Sequence, residues 1–433
     1  MPPNPRIASE PLIIIAELRF DPAHREVLLE LAQRHVRNTL AAEPGCLRFE
    51  LVAPKDEPGV LVFSEQFASE EAFATHRASP HVAWFREART PYVSEANVRE
   101  LRPVGPPWPG AVLCTVPLLE RHTGYLAPLT DAGFDLRWGG IDRTLGEDEL
   151  IERLNGVVAT VAGVEPYTER VFAAAPDLKI VARLGVGYDQ IDVEAATRHG
   201  VAVAMAYGAN HDSVADHTLA LMLAAAHRVV EYDQGARNGA WNRLLHGHLH
   251  ERTAGIVGFG RIGRAVAKRC LGFNMDVLVA DPVAEADTVA RLGYQAVDLD
   301  ELLARADFVS LHLPLTAETR HLIDAARLAR MKPTAVLINT ARGGLIDEAA
   351  LVQALEARQI AAAALDVFET EPLPESPLRH LDQVVLTPHV AGLSAEAVRA
   401  MSERAVENVL AVLAGRDPGP GFLLNPEVLT PAS

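Results

Sequence analysis

Three polar residues lie just past short apolar runs late in the chain. Arg342 follows Ala335–Asn339, Glu371 follows Ala361–Val367, and His389 follows Val384–Leu386. Such runs read as strands of a parallel sheet, and open α/β sheets hold ligands beyond the carboxyl ends of their strands. A histidine titrates nearest neutrality and can exchange a proton with a reacting oxygen. A carboxylate beside it fixes the tautomer and favours the imidazolium. A guanidinium can grip a carboxylate and polarise a carbonyl. Together the three suit hydride transfer at a carbinol carbon, although one histidine among sixteen says little by itself.

A second pattern would supply the hydride carrier. Gly258-Phe259-Gly260-Arg261-Ile262-Gly263 follows the apolar run Ala254–Val257 and opens a helix at Arg264–Leu271. The first glycine allows a tight turn, the second lets backbone approach a pyrophosphate, and the third permits close helix packing. The helix start adds unpaired N–H groups. Asp281 ends the next apolar run, about twenty positions on, where a carboxylate accepts ribose hydroxyls and repels a 2′-phosphate. NAD is therefore the expected cofactor.

These residues need parallel sheets to hold them. From Val112 onward, short apolar strand candidates alternate with helices, and two sheets fit the length better than one. Before them stands the order βαββαβ, with strands at Leu12–Phe20, Cys46–Val52, Val60–Phe67 and around Asn97–Leu101, and helices at Ala23–Ala42 and Glu70–Ala78. That is the ferredoxin-like plan. Residues 103–110 are rich in proline and read as a stiff linker. The final helical stretch, Ala395–Ala414, has one apolar face, and periodicity does not say which core it joins.

Composition excludes some partners. The 433 residues are 49% hydrophobic and 22% charged, with a formal net charge of −17. No nucleic-acid or membrane partner is expected, and an anionic substrate needs a local pocket of positive charge. No apolar run is long enough for a span, so the expected location is the cytoplasm. Cys46, Cys114 and Cys270 are scattered and match no metal spacing. His246, His248 and His250 alternate, but no carboxylate or cysteine pattern supports them, so no metal is expected.

Residues 111–424 resemble the D-2-hydroxyacid dehydrogenases, nearest their phosphoglycerate-dehydrogenase-like branch. The resemblance rests on Arg183-Leu184-Gly185-Val186-Gly187-Tyr188-Asp189, Asn210 with Ser213–Thr218, Gly258–Gly263, His312–Thr316, Asn339–Gly343, Asp366–Pro372 and Thr387–Gly392. It implies an α/β fold with a Rossmann-type cofactor domain (208–386) inserted in a flavodoxin-like, discontinuous substrate domain (111–207 and 387–424). It also implies that Arg342, Glu371 and His389 are catalytic, and that Gly185, Val186 and Gly187 hold the substrate carboxylate. Thr340, Asp366 and Gly392 would face the nicotinamide. His312 and Pro314 would lie near adenine and pyrophosphate, with Val214 and Ala341 among the other cofactor contacts. A homodimer is expected, acting on a small 2-hydroxy or 2-keto acid. Phosphoglycerate dehydrogenases carry an arginine where this chain reads Ala159-Thr160-Val161-Ala162-Gly163. A hydroxypyruvate- or glyoxylate-like substrate is therefore expected over phosphoglycerate. Glu371 stands where formate dehydrogenases have Gln, which argues against formate.

Residues 11–102 resemble the antibiotic-biosynthesis-monooxygenase-like domains, an α+β ferredoxin-like family. The likeness lies in Glu43-Pro44-Gly45-Cys46, Ser64-Glu65-Gln66-Phe67 and His76 through Pro80-His81. Assembly or small-ligand binding is the favoured role. The alternatives are a second, cofactor-free oxygenase activity here, or an NAD-sensing, corepressor-like role for the whole chain.

Overall fold

Alternating apolar residues build the first sheet. In β1 (Leu12–Phe20), Leu12, Ile14, Leu18 and Phe20 are buried, and β3 (Val60–Phe67) buries Phe63 and Phe67 against them. With β2 (Cys46–Val52) and β4 (Val93–Leu101) they form an antiparallel sheet in the order β2-β3-β1-β4. The helix Arg25–Ala42 lays Leu28, Ala32, His35 and Thr39 on this core, one stripe at helical spacing. Two findings exceed the sequence reading: a further helix at Pro80–Arg89, and a last strand that begins at Val93. Helix Glu70–Ala78 stops because Ser79 is extended (φ −75°, ψ 145°) and Pro80 cannot continue it. Proline instead suits the first turn of a new helix.

The computed structural model describes residues 12–101, 110–139, 144–241 and 243–429. They fall into two units, Met1–Pro109 and Gly110–Ser433. Apart from Gly110, the expected linker lies outside the described residues.

The second unit contains two all-parallel sheets. Strands β5 (Ala111–Cys114), β6 (Asp135–Trp138), β7 (Val157–Ala162), β8 (Ile180–Arg183) and β9 (Ala202–Met205) run in the order β6-β5-β7-β8-β9. That is the flavodoxin-like order. Strands β10 (Thr253–Val257), β11 (Asp276–Ala280), β12 (Gln295–Ala296), β13 (Phe308–Leu311), β14 (Val336–Asn339), β15 (Ala362–Leu365) and β16 (Val384–Leu386) form the other sheet. Its order, β12-β11-β10-β13-β14-β15-β16, is Rossmann-like. Both faces are buried: Val257, Val309 and Leu337 face one core, and Ile256, Phe308 and Ile338 the other. This explains why these strands are apolar throughout rather than alternating.

The helix Ala395–Leu413 packs Val398, Met401, Val406 and Val409 on the five-stranded sheet, with Ala182 and Ala204. Buried Asn425 then clamps the following segment. Its Oδ1 accepts the Val203 N–H at 2.8 Å, and its Nδ2 donates to Val201 O and Thr197 Oγ1, each at 2.9 Å. Among the described residues no helix is long and apolar enough to cross a membrane.

Candidate active site

The glycine turn after β10 has one steric role for each glycine. Gly258 has φ +94°, and a Cβ there would lie 2.6 Å from His312 O. A Cβ at Gly263 would lie 2.0 Å from Gly258 O, so only glycine lets the helix Arg261–Gly272 pack this close. A Cβ at Gly260 would meet nothing within 4 Å. Gly260 is also the N-cap of that helix and supplies no side-chain cap to its first N–H groups. Ile262 is half-buried, while Arg261 is exposed with its guanidinium 4.6 Å from the Tyr207 ring centroid.

Asp281 is held between this turn and the end of β11. Its Oδ2 accepts the Phe259 N–H at 2.6 Å, and its Oδ1 accepts those of Val283 (2.8 Å) and Ala284 (3.1 Å). A carboxylate has about four acceptor directions, so a position remains for a hydroxyl. His312 stands beside Gly258 with its Nε2 2.9 Å from Ser310 Oγ. Burial lowers its pKa to about 3, leaving a neutral imidazole. Its buried Nδ1 has no hydrogen-bond partner among the described residues. Pro314 is exposed on the same segment. Open backbone at Gly260, a placed carboxylate and this spare nitrogen together fit a dinucleotide.

The loop after β16 is organised by one buried carboxylate. Asp366, with no exposed surface, follows β15. Its Oδ1 accepts from Thr387 Oγ1 (2.6 Å) and the Val390 N–H (2.9 Å), and its Oδ2 from the Ala391 N–H (2.9 Å). Its carbonyl accepts the His389 N–H at 2.8 Å. Burial works to raise its pKa, but hydrogen bonds from His217, Thr387, Val390 and Ala391 hold it below the ordinary range. Asp366 was expected to face the nicotinamide. Its carboxylate holds in place the loop that carries His389 and Gly392.

His389 takes φ +53°, and its Nδ1 lies 2.7 Å from Glu371 Oε2. Glu371 Oε1 accepts the Phe368 N–H at 3.0 Å. Partial burial raises the Glu371 pKa, but the His389 contact, the Phe368 N–H and the Arg342 charge outweigh it and hold it low.

Arg342, past β14, reaches the loop after β8. Its Nε donates to Asp189 Oδ2 at 2.5 Å, and a Cβ on Gly187 would fall 1.4 Å from its Nη2. Gly185 has φ +137°, and half-buried Val186 lies between the two glycines. Arg183 donates to Leu184 O at 2.8 Å. Burial first, and then the Arg342 charge, lower its pKa to about 10, so it stays cationic at neutrality. The acidic chain thus concentrates two guanidiniums at one loop.

Several participants were not singled out from the sequence. Asp189 orients Arg342, and Arg183 doubles the positive charge. The helix His211–Ala226 also meets the site: Ser213 Oγ donates to Ala391 O at 2.7 Å, His217 Nε2 lies 3.1 Å from Thr387 Oγ1, and Thr218 Oγ1 lies 2.9 Å from Thr340 Oγ1. Val214, on this helix, is buried, and Ala341 is half-buried beside Thr340. The polar pairs span over a hundred residues, so the sequence marked these residues only as members of its motifs and not as partners of one another.

Comparison with known proteins agrees with this geometry. Residues 219–391 match the family described as D-isomer specific 2-hydroxyacid dehydrogenase, NAD binding domain, and residues 11–88 match antibiotic biosynthesis monooxygenase. The chain is 46% identical over 288 residues to a glyoxylate reductase of Korarchaeum cryptofilum, covering 65% of this chain and 86% of that protein. It is 44% identical over 298 residues to a D-3-phosphoglycerate dehydrogenase of Mycobacterium tuberculosis, covering 67% of this chain but only 56% of that protein. The crystal structure of the TT0316 protein of Thermus thermophilus superposes with a TM-score of 0.66 at 40% identity, covering 72% of this chain and 99% of that one.

The Asp366 network leads to a stability prediction. Asp366→Asn places N–H against N–H and should cost about 1–3 kcal/mol at neutral pH. A carboxyl with a depressed folded pKa stabilises above its unfolded pKa and loses that contribution as pH falls through the folded value. The difference between the parent chain and Asp366→Asn should therefore shrink in acid. Denaturant midpoints at neutral pH and near pH 3 will check this, and an unchanged difference would contradict it.

Proposed function

Since the chain belongs to the D-isomer specific 2-hydroxyacid dehydrogenases, behind an antibiotic-biosynthesis-monooxygenase-type domain, we propose that it reduces a small, unphosphorylated 2-keto acid with NADH. The observation that carries this reading is the convergence of His389–Glu371 and Arg342–Asp189 at the strand ends. Arg342, the glycine backbone at Gly185–Gly187 and the Arg183 charge form a cationic cluster suited to the substrate carboxylate. Arg342 also polarises the keto oxygen. With Nδ1 held by Glu371, His389 keeps Nε2 for moving a proton to that oxygen, or from the hydroxyl in the reverse direction.

Gly258–Gly263 and Asp281 would hold the dinucleotide, with Thr340 and Gly392 near its reactive end; when bound, it supplies or takes up the hydride. Three backbone N–H groups fix the Asp281 carboxylate, and no Lys or Arg pairs with it among the described residues. That favours NAD, because a 2′-phosphate would meet an uncompensated negative charge. The substrate preference follows similar logic. The end of β7 presents Ala162 and Gly163, beside buried Glu165, whose Oε2 accepts from Thr115 Oγ1 at 2.8 Å. The buried Glu165 carboxyl works against a second anionic group there and offsets the charge of Arg183, whose Nη1 donates to Ala162 O at 3.3 Å.

Three outcomes are expected. In an NADH-oxidation screen, glyoxylate or hydroxypyruvate should show a higher kcat/KM than phosphohydroxypyruvate; the reverse order would reject the substrate reading. NADH should outperform NADPH, and Asp281→Ser should narrow the ratio. Equal efficiency with both in the unaltered enzyme would remove the role given to Asp281.

The His–Glu pair gives the third outcome. His389→Ala should lower kcat by about 10²–10⁴-fold with little effect on NADH binding. Glu371 holds the His389 ring through the 2.7 Å contact, so Glu371→Gln should also lower kcat with little effect on NADH binding. An unaltered kcat in Glu371→Gln would show that the pair does not act together.

A further inference from the structure

Independently of the dehydrogenase site, we propose that the N-terminal unit binds one first-row divalent transition-metal ion of the zinc type through Glu43, His76 and His81. Spacing along the chain showed no metal set, and the fold assembles one from three helix ends. Glu43 is the C-cap of the helix Arg25–Ala42. His76 lies in the last turn of Glu70–Ala78, and His81 in the first turn of Pro80–Arg89. The break at Ser79–Pro80 turns the two histidines toward one carboxylate. His76 Nδ1 is 2.9 Å from Glu43 Oε2, and His81 Nε2 is 2.7 Å from Glu43 Oε1. Among the described residues this is the only group of three or more such side chains whose donor atoms lie within 4.8 Å of one another.

The donor chemistry selects the ion. Two imidazole nitrogens and one carboxylate oxygen suit zinc and its first-row neighbours, whereas calcium and magnesium take oxygen shells. Bonds of about 2.0–2.1 Å in tetrahedral geometry place donors roughly 3.3 Å apart. The two histidine–carboxylate spacings, 2.9 and 2.7 Å, would open by about half an ångström to reach it. Three protein ligands leave the fourth position for water or an outside ligand.

The surroundings match those of a metal-bound histidine. The side chains of Glu43, His76 and His81 are only 9%, 5% and 15% exposed. Behind His76, its Nε2 faces Glu65 Oε2 at 3.8 Å, and that glutamate is also buried. At 3.8 Å this is short of a hydrogen bond, and a small approach would give the far nitrogen the outer-shell carboxyl partner that orients a ligating imidazole. Beside them stands His35, 4% exposed, stacked on Phe85 with ring centroids 4.3 Å apart. Its ring centroid is 5.7 Å from that of His76 and 6.0 Å from that of His81, and its Nδ1 is buried with no partner among the described residues.

The test uses the full chain, stripped with chelator and titrated with Zn(II) against a chromophoric competitor. One tight equivalent per chain is expected, retained through gel filtration. His81→Gln should weaken it roughly 100-fold or more and Glu65→Gln about 10–100-fold, the latter being typical of an outer-shell partner. Keto-acid reduction should be unchanged in both variants, and an unchanged circular-dichroism spectrum and thermal transition will report that the N-terminal unit is folded. Triple replacement of His246, His248 and His250 should leave the tight equivalent intact. X-ray absorption on the unaltered zinc-loaded chain should show imidazole and oxygen donors without sulfur, and decides the matter even where a variant does not fold. No tight equivalent, a sulfur ligand, unaltered binding in His81→Gln, or loss in the triple variant would each overturn the proposal.

Discussion

The dehydrogenase unit depends on a charge that has been taken out of water. Asp366 sits at the end of β15 with no exposed surface, and a carboxylate survives there only because donors surround it. Thr387, Val390 and Ala391 supply those donors, all from the loop leaving β16. Hydrogen bonds to a charged group contribute about 1.5–3 kcal/mol each, enough to hold the loop in one shape. In that shape His389 adopts a left-handed conformation and meets Glu371. The same loop is tied to the helix His211–Ala226 through Ser213, which bonds Ala391 O and receives the Ser394 N–H. Ser394 caps the helix that packs on the five-stranded sheet. One buried carboxylate therefore links His389 with both sheets.

Charge is distributed by the same logic of local exception. A net charge of −17 gives the surface no general attraction for an acid. The loop after β8 reverses this over a short distance, where Arg183 and Arg342 crowd glycine backbone and Asp189 and Glu165 provide partial compensation. Gly187 is essential to the arrangement because any side chain would occupy the space of the guanidinium.

The N-terminal unit solves a different problem. It has its own apolar core around Leu28, Phe49, Phe63 and Phe85, yet places His35, His76, Glu65 and Glu43 against it. Buried polar groups in so small a core are costly unless each finds a partner. The kink at Ser79–Pro80 brings Glu43 and His81 to His76 and so supplies part of that pairing.

The sequence by itself determined the parts governed by local physics. Period-two alternation gave β1 and β3, continuous apolar runs gave the buried strands, and the glycine motif with Asp281 gave the dinucleotide turn. Arg342, Glu371 and His389 were legible because they follow strands. The short edge strands β6 and β12 were not, since a strand paired on one side needs little apolar surface. The helix Pro80–Arg89 was missed because proline both ends one helix and begins another. The family resemblance, not periodicity, implied that Ala395–Leu413 belongs with the five-stranded sheet; only tertiary structure decided that Asp366 is enclosed within the loop of His389 and that Asp189 reaches Arg342. It also gathered Glu43, His76 and His81 around one point. These facts depend on which residues meet across long stretches of chain, and hydrophobic periodicity records only that a face is buried, not what buries it.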